Sequence, residues 1–244
     1  MRLAQILYSQ GFGSRRECAA LLASGVVRLG DRVLDDPDED LATEGLVLRV
    51  QGADWPFHER ALVLLHKPTG YECSTRPGRW PGVLSLLPPP LRRRGVQPVG
   101  RLDADTTGLL LATDDGALLH RLTSPKHHVA KVYEVTTKHP VDDALLDRLR
   151  EGVVLHDDPQ PVRAAAVERR GAHALSMTLT EGRYHQVKRM VAAAGNRVEA
   201  LHRSAFGPWT LPDGLRPGRW CWLTPALPYP GRTPDNPAPG GSPT

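Results

Sequence analysis

The apolar pattern of this chain changes near residue 60, and that change limits what it can fold into. Before it, Leu3, Ile6 and Leu7 recur at helical spacing and stop at Gly11-Phe12-Gly13. Ser14-Arg15-Arg16-Glu17 spells a capping box, so a second helix should carry Ala20, Leu21 and Leu22 and end near Gly25. Val26-Val27-Arg28-Leu29 and Arg32-Val33-Leu34 flank Gly30-Asp31, a two-residue hairpin signal. The acidic run 35–40 reads as a solvated loop, 46–50 as a closing strand and 52–60 as a linker. After it, apolar runs of strand length stand at 62–65, 109–113, 132–135 and 175–179. Amphipathic helices are expected between or after them at 115–123, 142–150 and 185–194. No run approaches the roughly 20 apolar residues needed to cross a bilayer, and no signal-peptide block opens the chain. Residues 231–244, rich in Pro and Gly, read as a disordered tail.

Charge follows the same division. Residues 1–60 hold 7 basic and 10 acidic side chains, and the remainder holds 24 basic and 17 acidic ones. A polyanion partner is therefore expected to meet mainly the second part. Of the basic residues 26 are arginine and 5 lysine. Arginine forks onto phosphate and stacks on bases, although a GC-rich genome would also enrich it. Cys18, Cys73 and Cys221 lie far apart with no CxxC pair, which argues against a disulfide framework or zinc ribbon and fits a reducing cytoplasm. The chain has no GxxxxGK[ST] loop, GxSxG elbow or HExxH helix, so nothing calls for a nucleotide cofactor.

Three segments can carry chemistry. In Gly100-Arg101-Leu102-Asp103-Ala104-Asp105-Thr106-Thr107-Gly108, the acceptors approach the spacing of a calcium loop. Pro98-Val99-Gly100 stands where the entering helix would be, and Asp114 is shorter than the usual closing Glu, so that reading fails. Arg101 and Asp103 share a face if extended, and a guanidinium keeps a neighbouring carboxylate ionised. That suits a nucleophile or base; the bland alternative is a pair of turn caps. In the segment 120–135, a basic loop with Lys126, His127, His128 and Lys131 leads into a strand bearing Tyr133. Adjacent histidines cannot both face one ion, so a metal site is not expected. Tyr133 alternates with the valines as a core aromatic would, and a buried tyrosine needs a hydroxyl partner. In the segment 180–190, Val187, Met190 and Val191 form the inner helix face, while Arg183, Lys188 and Arg189 crowd the outer side, where phosphate contact is expected.

Residues 1–50 resemble the S4-type RNA-binding module through Arg2-Leu3, the Gly11-to-Glu17 turn and Gly25-Val26-Val27-Arg28-Leu29-Gly30-Asp31. The resemblance implies that Arg15 and Arg16 face RNA. From Arg2 to about Leu223 the chain resembles pseudouridine synthases of the ribosomal small-subunit type. Lys67-Pro68-Thr69-Gly70-Tyr71 with Cys73-Ser74-Thr75, Gly-Arg-Leu-Asp-x-Asp-Thr-Thr-Gly-Leu at 100–109, Thr123-Ser124-Pro125-Lys126-His127-His128 and Glu181-Gly182-Arg183-Tyr184-His185-Gln186-Val187-Lys188-Arg189-Met190 carry it. It implies an α+β fold: a helix-helix-hairpin module over 1–58, then over 61–230 a mixed, mainly antiparallel sheet flanked by helices. It implies a cofactor-free, metal-free isomerisation of a uridine in 16S rRNA by a cytoplasmic monomer, with an assembling small ribosomal subunit as a partner. Asp103 takes the place of the catalytic aspartate, which attacks C1′ or removes a sugar proton. Tyr133 takes that of the tyrosine lying against the uracil. Arg101 and Lys188 contact the aspartate or the RNA, and Lys67, Lys126, Lys131, Arg183 and Arg189 add RNA contacts. The alternatives are a 23S rRNA enzyme of the same family and a non-catalytic rRNA-binding or assembly factor.

Overall fold

The structure is a computed structural model that describes residues 1–74, 76–156 and 158–223. The proposed tail at 231–244 lies outside the described residues. Helices α1 (Leu3–Ser9) and α2 (Arg15–Ala23) follow the apolar spacing. The capping box forms: the Ser14 hydroxyl accepts from the Glu17 amide at 3.3 Å, and the Glu17 carboxylate accepts from the Ser14 amide at 2.7 Å. Strands β1 (Val27–Leu29) and β2 (Arg32–Val33) pair across Gly30-Asp31. With β3 (Val47–Val50) and β4 (Ala53–Pro56) they make a four-stranded sheet of order β2-β1-β3-β4. Leu3, Ile6 and Leu7 of α1 pack with Cys18, Leu22, Val27, Leu48 and Val50 into one buried cluster.

The expected linker at 52–60 is corrected here, because β4 occupies its centre and pairs with β3 from Val50↔Ala53 to Val47↔Pro56. Gln51 and Gly52 both take positive φ (53° and 84°), which is what a two-residue hairpin turn requires. Gln-Gly is a weaker signal than Asn-Gly, so the turn is hard to see in the sequence.

The second part is built on a nine-stranded sheet. Its first elements are β5 (Leu62–Lys67), α3 (Pro89–Arg93), β6 (Gln97–Pro98), β7 (Thr107–Thr113), α4 (Gly116–Thr123) and β8 (Lys131–Thr137). Then come α5 (Asp143–Glu151), a separate two-stranded pair β9 (Val153–Leu155) and β10 (Asp158–Val162), then β11 (Ala166–Gly171), β12 (Ala174–Leu179), α6 (Gln186–Ala193), β13 (Val198–Phe206), β14 (Trp209–Thr210) and β15 (Trp220–Trp222). The strand order is β11-β12-β8-β13-β7-β5-β15, with β14 on β13 and β6 on β7. All these pairs are antiparallel except β13 with β7, which is the mixed, mainly antiparallel sheet expected.

Helices α5 and α6 cover one face, where Leu145, Leu149, Val187, Met190 and Val191 pack on Val135, Leu175, Met177 and Leu201. Alternate residues of β7 go opposite ways: Leu109 and Leu111 join the α4 side, Leu110 the other. Both faces of β7 are thus covered, which explains its unbroken apolar run. Strand β13 is central yet shows no clean alternation. Its middle reads His202-Arg203-Ser204, and its register shifts twice against β8. It can lie close to β7 because residue 108 is glycine: a Cβ there would sit 2.2 Å from the Arg203 carbonyl oxygen.

A buried ion pair of the second part anchors the first part to it. Arg94 Nε meets Asp114 Oδ2 at 2.7 Å, with side chains only 3% and 10% exposed. Arg94 also donates to the Gln10 side chain (2.8 Å) and to the carbonyls of His58 and Glu59, while Asp114 Oδ1 accepts from the Ala61 amide. Each nitrogen of the guanidinium and each oxygen of the carboxylate thus has a partner, the condition under which a buried pair holds. Phe12, Trp55 and Trp222 pack edge to face beside it. Among the described residues no helix is long and apolar enough to cross a membrane.

Candidate active site

Asp103 stands in the turn before β7, closed by a hydrogen bond from the Thr106 amide to the Asp103 carbonyl (3.1 Å). Beneath it Lys67, the last residue of β5, is completely buried. Its ammonium donates to the carbonyls of Asp103 (2.9 Å), Thr106 (2.8 Å) and Pro68 (3.0 Å), and more loosely to Ala104 (3.5 Å). Burial pulls its pKa down, and neighbouring groups including Asp105 and Asp103 partly restore it. The expectation of Lys67 as an RNA contact is corrected: it has no surface to offer. It pins the loop that carries Asp103 through charge-assisted hydrogen bonds.

The Asp103 carboxylate is gripped on both oxygens. Lys188 Nζ lies 3.0 Å from Oδ2, and His185 Nε2 lies 3.1 Å from Oδ1. Lys188 also reaches Asp105 at 2.6 and 2.9 Å. Burial works to lower the Lys188 pKa, but its hydrogen bonds to Asp105 and Asp103 outweigh this and raise it. Burial works to raise the Asp105 pKa, and the Lys188 hydrogen bond and charge bring it below the usual value. Lys188 is therefore a firm cation, and Asp105 beside it is held as an anion.

The expected Arg101–Asp103 pairing is corrected as well. Residues 101–103 are not in a strand, so the shared face is lost. Arg101 is exposed and makes no hydrogen bond or ion pair among the described residues. The cation on Asp103 comes instead from α6, 85 positions further along the chain.

Tyr133 lies in β8 opposite Met177 and Arg203. It is half-buried, packed both on the α5/α6 cluster and on the cluster of Leu65, Leu102 and Leu110 that underlies the Asp103 turn. Its hydroxyl has no partner among the described residues and is not one of the buried unpartnered atoms. The ring is thus anchored while its polar end stays open.

The turn before α6 is tied down by Gln186. Its side chain accepts from the Arg183 amide (2.8 Å) and donates to Glu181 (2.9 Å). His185 takes the left-handed conformation (φ 47°, ψ 36°) and stacks on Tyr184 at 3.8 Å. His185 escaped the sequence reasoning as a site residue. Its spacing of three from Lys188 was the available signal, since such residues share a helix face.

The basic residues sort into two groups. Arg15 and Arg16 are exposed at the start of α2, where the helix dipole disfavours cations, and Lys126 is exposed on the short turn Pro125–His127. Arg183 contacts Glu181 at 3.5 Å, and Arg189 donates to the Tyr184 carbonyl at 3.1 Å. Lys131, expected to contact RNA, is half-buried with its ammonium engaged inside the protein. It donates to the Val129 carbonyl and lies 5.4 Å from the Phe206 ring centroid. Burial, aided by the charge of Arg203, takes its pKa down to about 8. Arg203 was not foreseen at all: it is buried, its Nε donates to the Leu109 carbonyl, and its Nη2 has no partner.

Comparison with known proteins places this geometry. A family model described as RNA pseudouridylate synthase matches residues 61–193, and one described as S4 domain matches residues 1–47. The ribosomal small subunit pseudouridine synthase A of Yersinia pestis is 39% identical over 230 residues, covering 92% of this chain and 95% of that protein. The protein of the same name from Escherichia coli (strain K12) is 43% identical over 188 residues, 77% and 78% of the two chains. A crystal structure described as that of a pseudouridylate synthase superposes with a TM-score of 0.65 at 33% identity, covering 92% of this chain and 96% of the other. With the synthase model spanning more than half its length and these relatives spanning most of it, this chain belongs to the RNA pseudouridylate synthase family, enzymes that isomerise uridine to pseudouridine in RNA, and it carries an S4 domain at its start.

Proposed function

We propose that the chain converts one uridine of 16S rRNA to pseudouridine, with Asp103 as the catalytic carboxylate. The observation that carries the assignment is the two-sided grip of Lys188 and His185 on Asp103, above a loop pinned by Lys67. A carboxylate positioned in this way serves either route: attack on C1′, or removal of a sugar proton to leave a glycal. In both, the N1–C1′ bond breaks, the uracil turns, C5 bonds to C1′, and the proton lost from C5 is balanced by one gained at N1. The conversion is redox-neutral and calls for no cofactor. Tyr133 lies against the uracil with its hydroxyl available to the C5 proton. Lys188 holds the Asp103 carboxylate in place while the uridine is out of its stack.

The small-subunit substrate is supported by the names of the relatives. Residues 1–58 act as an RNA-binding module, with Arg15 and Arg16 on phosphate, and residues 61–230 as the catalytic domain. Arg101, Lys126, Arg183 and Arg189 line the RNA path. The enzyme works as a monomer in the cytoplasm, on 16S rRNA or on the assembling small subunit. The deciding experiment maps pseudouridine in rRNA from a strain lacking this chain. One 16S uridine is expected to stay unmodified and to be restored by the wild type but not by Asp103→Asn. A lost site in 23S rRNA would move the assignment to the other branch, and restoration by Asp103→Asn would remove Asp103 from the chemistry.

A further inference from the structure

Tyr184 is the most exposed large apolar side chain among the described residues, at 74%. An aromatic ring left this open beside a reactive carboxylate needs a reason. Its setting is rigid. One face is covered by the His185 imidazole at 3.8 Å and 23°. Its carbonyl accepts from Arg189 (3.1 Å), and Gln186 ties the turn on both sides of it. The residue beneath it holds a positive φ that a non-glycine side chain adopts only where its surroundings impose it. The same imidazole touches Asp103 at 3.1 Å, so the outward ring and the carboxylate are joined through one side chain.

We propose that the open face of Tyr184 is a stacking platform for an unpaired nucleobase flanking the target uridine, with His185 setting both the platform and Asp103. This rests on the reading of Asp103 as the reacting carboxylate. A uridine drawn out of its stack leaves its neighbours without a partner on one side. Aromatic side chains are the usual replacement, because every base has a π-face. Arg183, Lys188 and Arg189 lie within five positions of Tyr184 in the chain, and Arg189 donates to its carbonyl, a basic setting that suits a polyanion better than an apolar protein partner. A preorganised ring also loses little freedom on binding.

The test uses the full-length protein and short, unmodified rRNA transcripts carrying the uridine that mapping identifies. Each flanking nucleotide is replaced in turn by an abasic one. With the wild type, one abasic position should weaken binding roughly 5- to 100-fold, the range for loss of a stacked base. Tyr184→Ala should weaken binding of the intact RNA by a similar factor. The two changes together should weaken it no more than either alone, while Tyr184→Phe and Tyr184→Trp should bind like the wild type. His185→Gly, which suits the backbone at this position, should abolish the sensitivity to that abasic site. Equal affinity of Tyr184→Ala and the wild type, additive losses at every flanking position, or full sensitivity in His185→Gly would overturn the platform. Asp103→Asn is the control: it should stop turnover yet keep the abasic sensitivity. Retained turnover would strike the carboxylate assignment and leave the stacking measurement standing on its own.

Discussion

The first sixty residues and the remainder use their cations in opposite ways. The first part is acidic on balance, yet Arg15 and Arg16 stand free at a helix start where they gain nothing from the helix. The second part is basic on balance, yet several of its cations are engaged inside. Lys67 is bound to backbone carbonyls, Lys188 to two aspartates, Arg94 to Asp114, and Lys131 and Arg203 flank Phe206. Net charge by region therefore overstates how much positive surface the second part shows to solvent. It also understates the first part, where two well-placed residues are hidden in a negative sum.

The sharpest way to break this comparison is at Asp103. Asp103→Asn should reduce turnover by at least about 10²- to 10⁴-fold, the range for a positioned acid or base, with RNA affinity near that of the wild type. A matching loss of affinity would show that the internal cations depend on this anion for more than chemistry. Next is the joint between the parts. Arg94→Met leaves Asp114 buried without its partner and should lower stability by about 3–5 kcal/mol in chemical denaturation. An unchanged midpoint would mean that the joint relaxes freely. Lys67→Met should lower stability by about 1–3 kcal/mol, because carbonyls under the Asp103 turn lose their donor, and it should reduce kcat more than affinity. Arg101→Ala, by contrast, should leave stability unchanged. Replacing Arg15 and Arg16 by Ala should have the smallest effect: a uniform weakening of RNA binding and a salt dependence shallower by about one unit for each phosphate no longer neutralised.

Lys131 adds a test by pH. Its pKa of about 8 lies below the usual lysine value, so between about 8 and 10 the unfolded chain binds a proton that the folded one does not. Stability should rise with pH across that window, and Lys131→Met should flatten the rise. Lys188 is shifted the other way, so its own contribution fades only at higher pH.

What the sequence revealed follows from how local each signal is. The capping box at Ser14, the turn at Gly30-Asp31 and the inner face of α6 are set by residues within four positions of each other. Strand β13 was not legible, since its polar centre is tolerated only by neighbours contributed from β7 and β8. The sequence singled out Asp103 as a carboxylate with a cation beside it, but not which cation. Arg101, two positions before it, makes no ion pair with it, and its partners Lys188 and His185 arrive with α6 and the residue before it. Lys67 looked like a surface lysine because nothing local announces that four carbonyls will converge on it.

The single parallel pairing in the sheet, β13 beside β7, has a consequence for the order of assembly. It joins Thr107 to His202, 95 positions apart, and so closes late by the entropy of a long loop. Every hydrogen-bonded neighbour of β13 was made earlier in the chain except β14. A nascent chain can finish its RNA-binding module, and even the Asp103 turn, well before α6 and β13 bring Lys188 and His185 into place. The cluster of Asp103, His185 and Lys188 is thus among the last features to appear during synthesis. Chains ending before Val198 should hold RNA through their first module and show no turnover, as pulse-stalled synthesis with a modification assay would reveal.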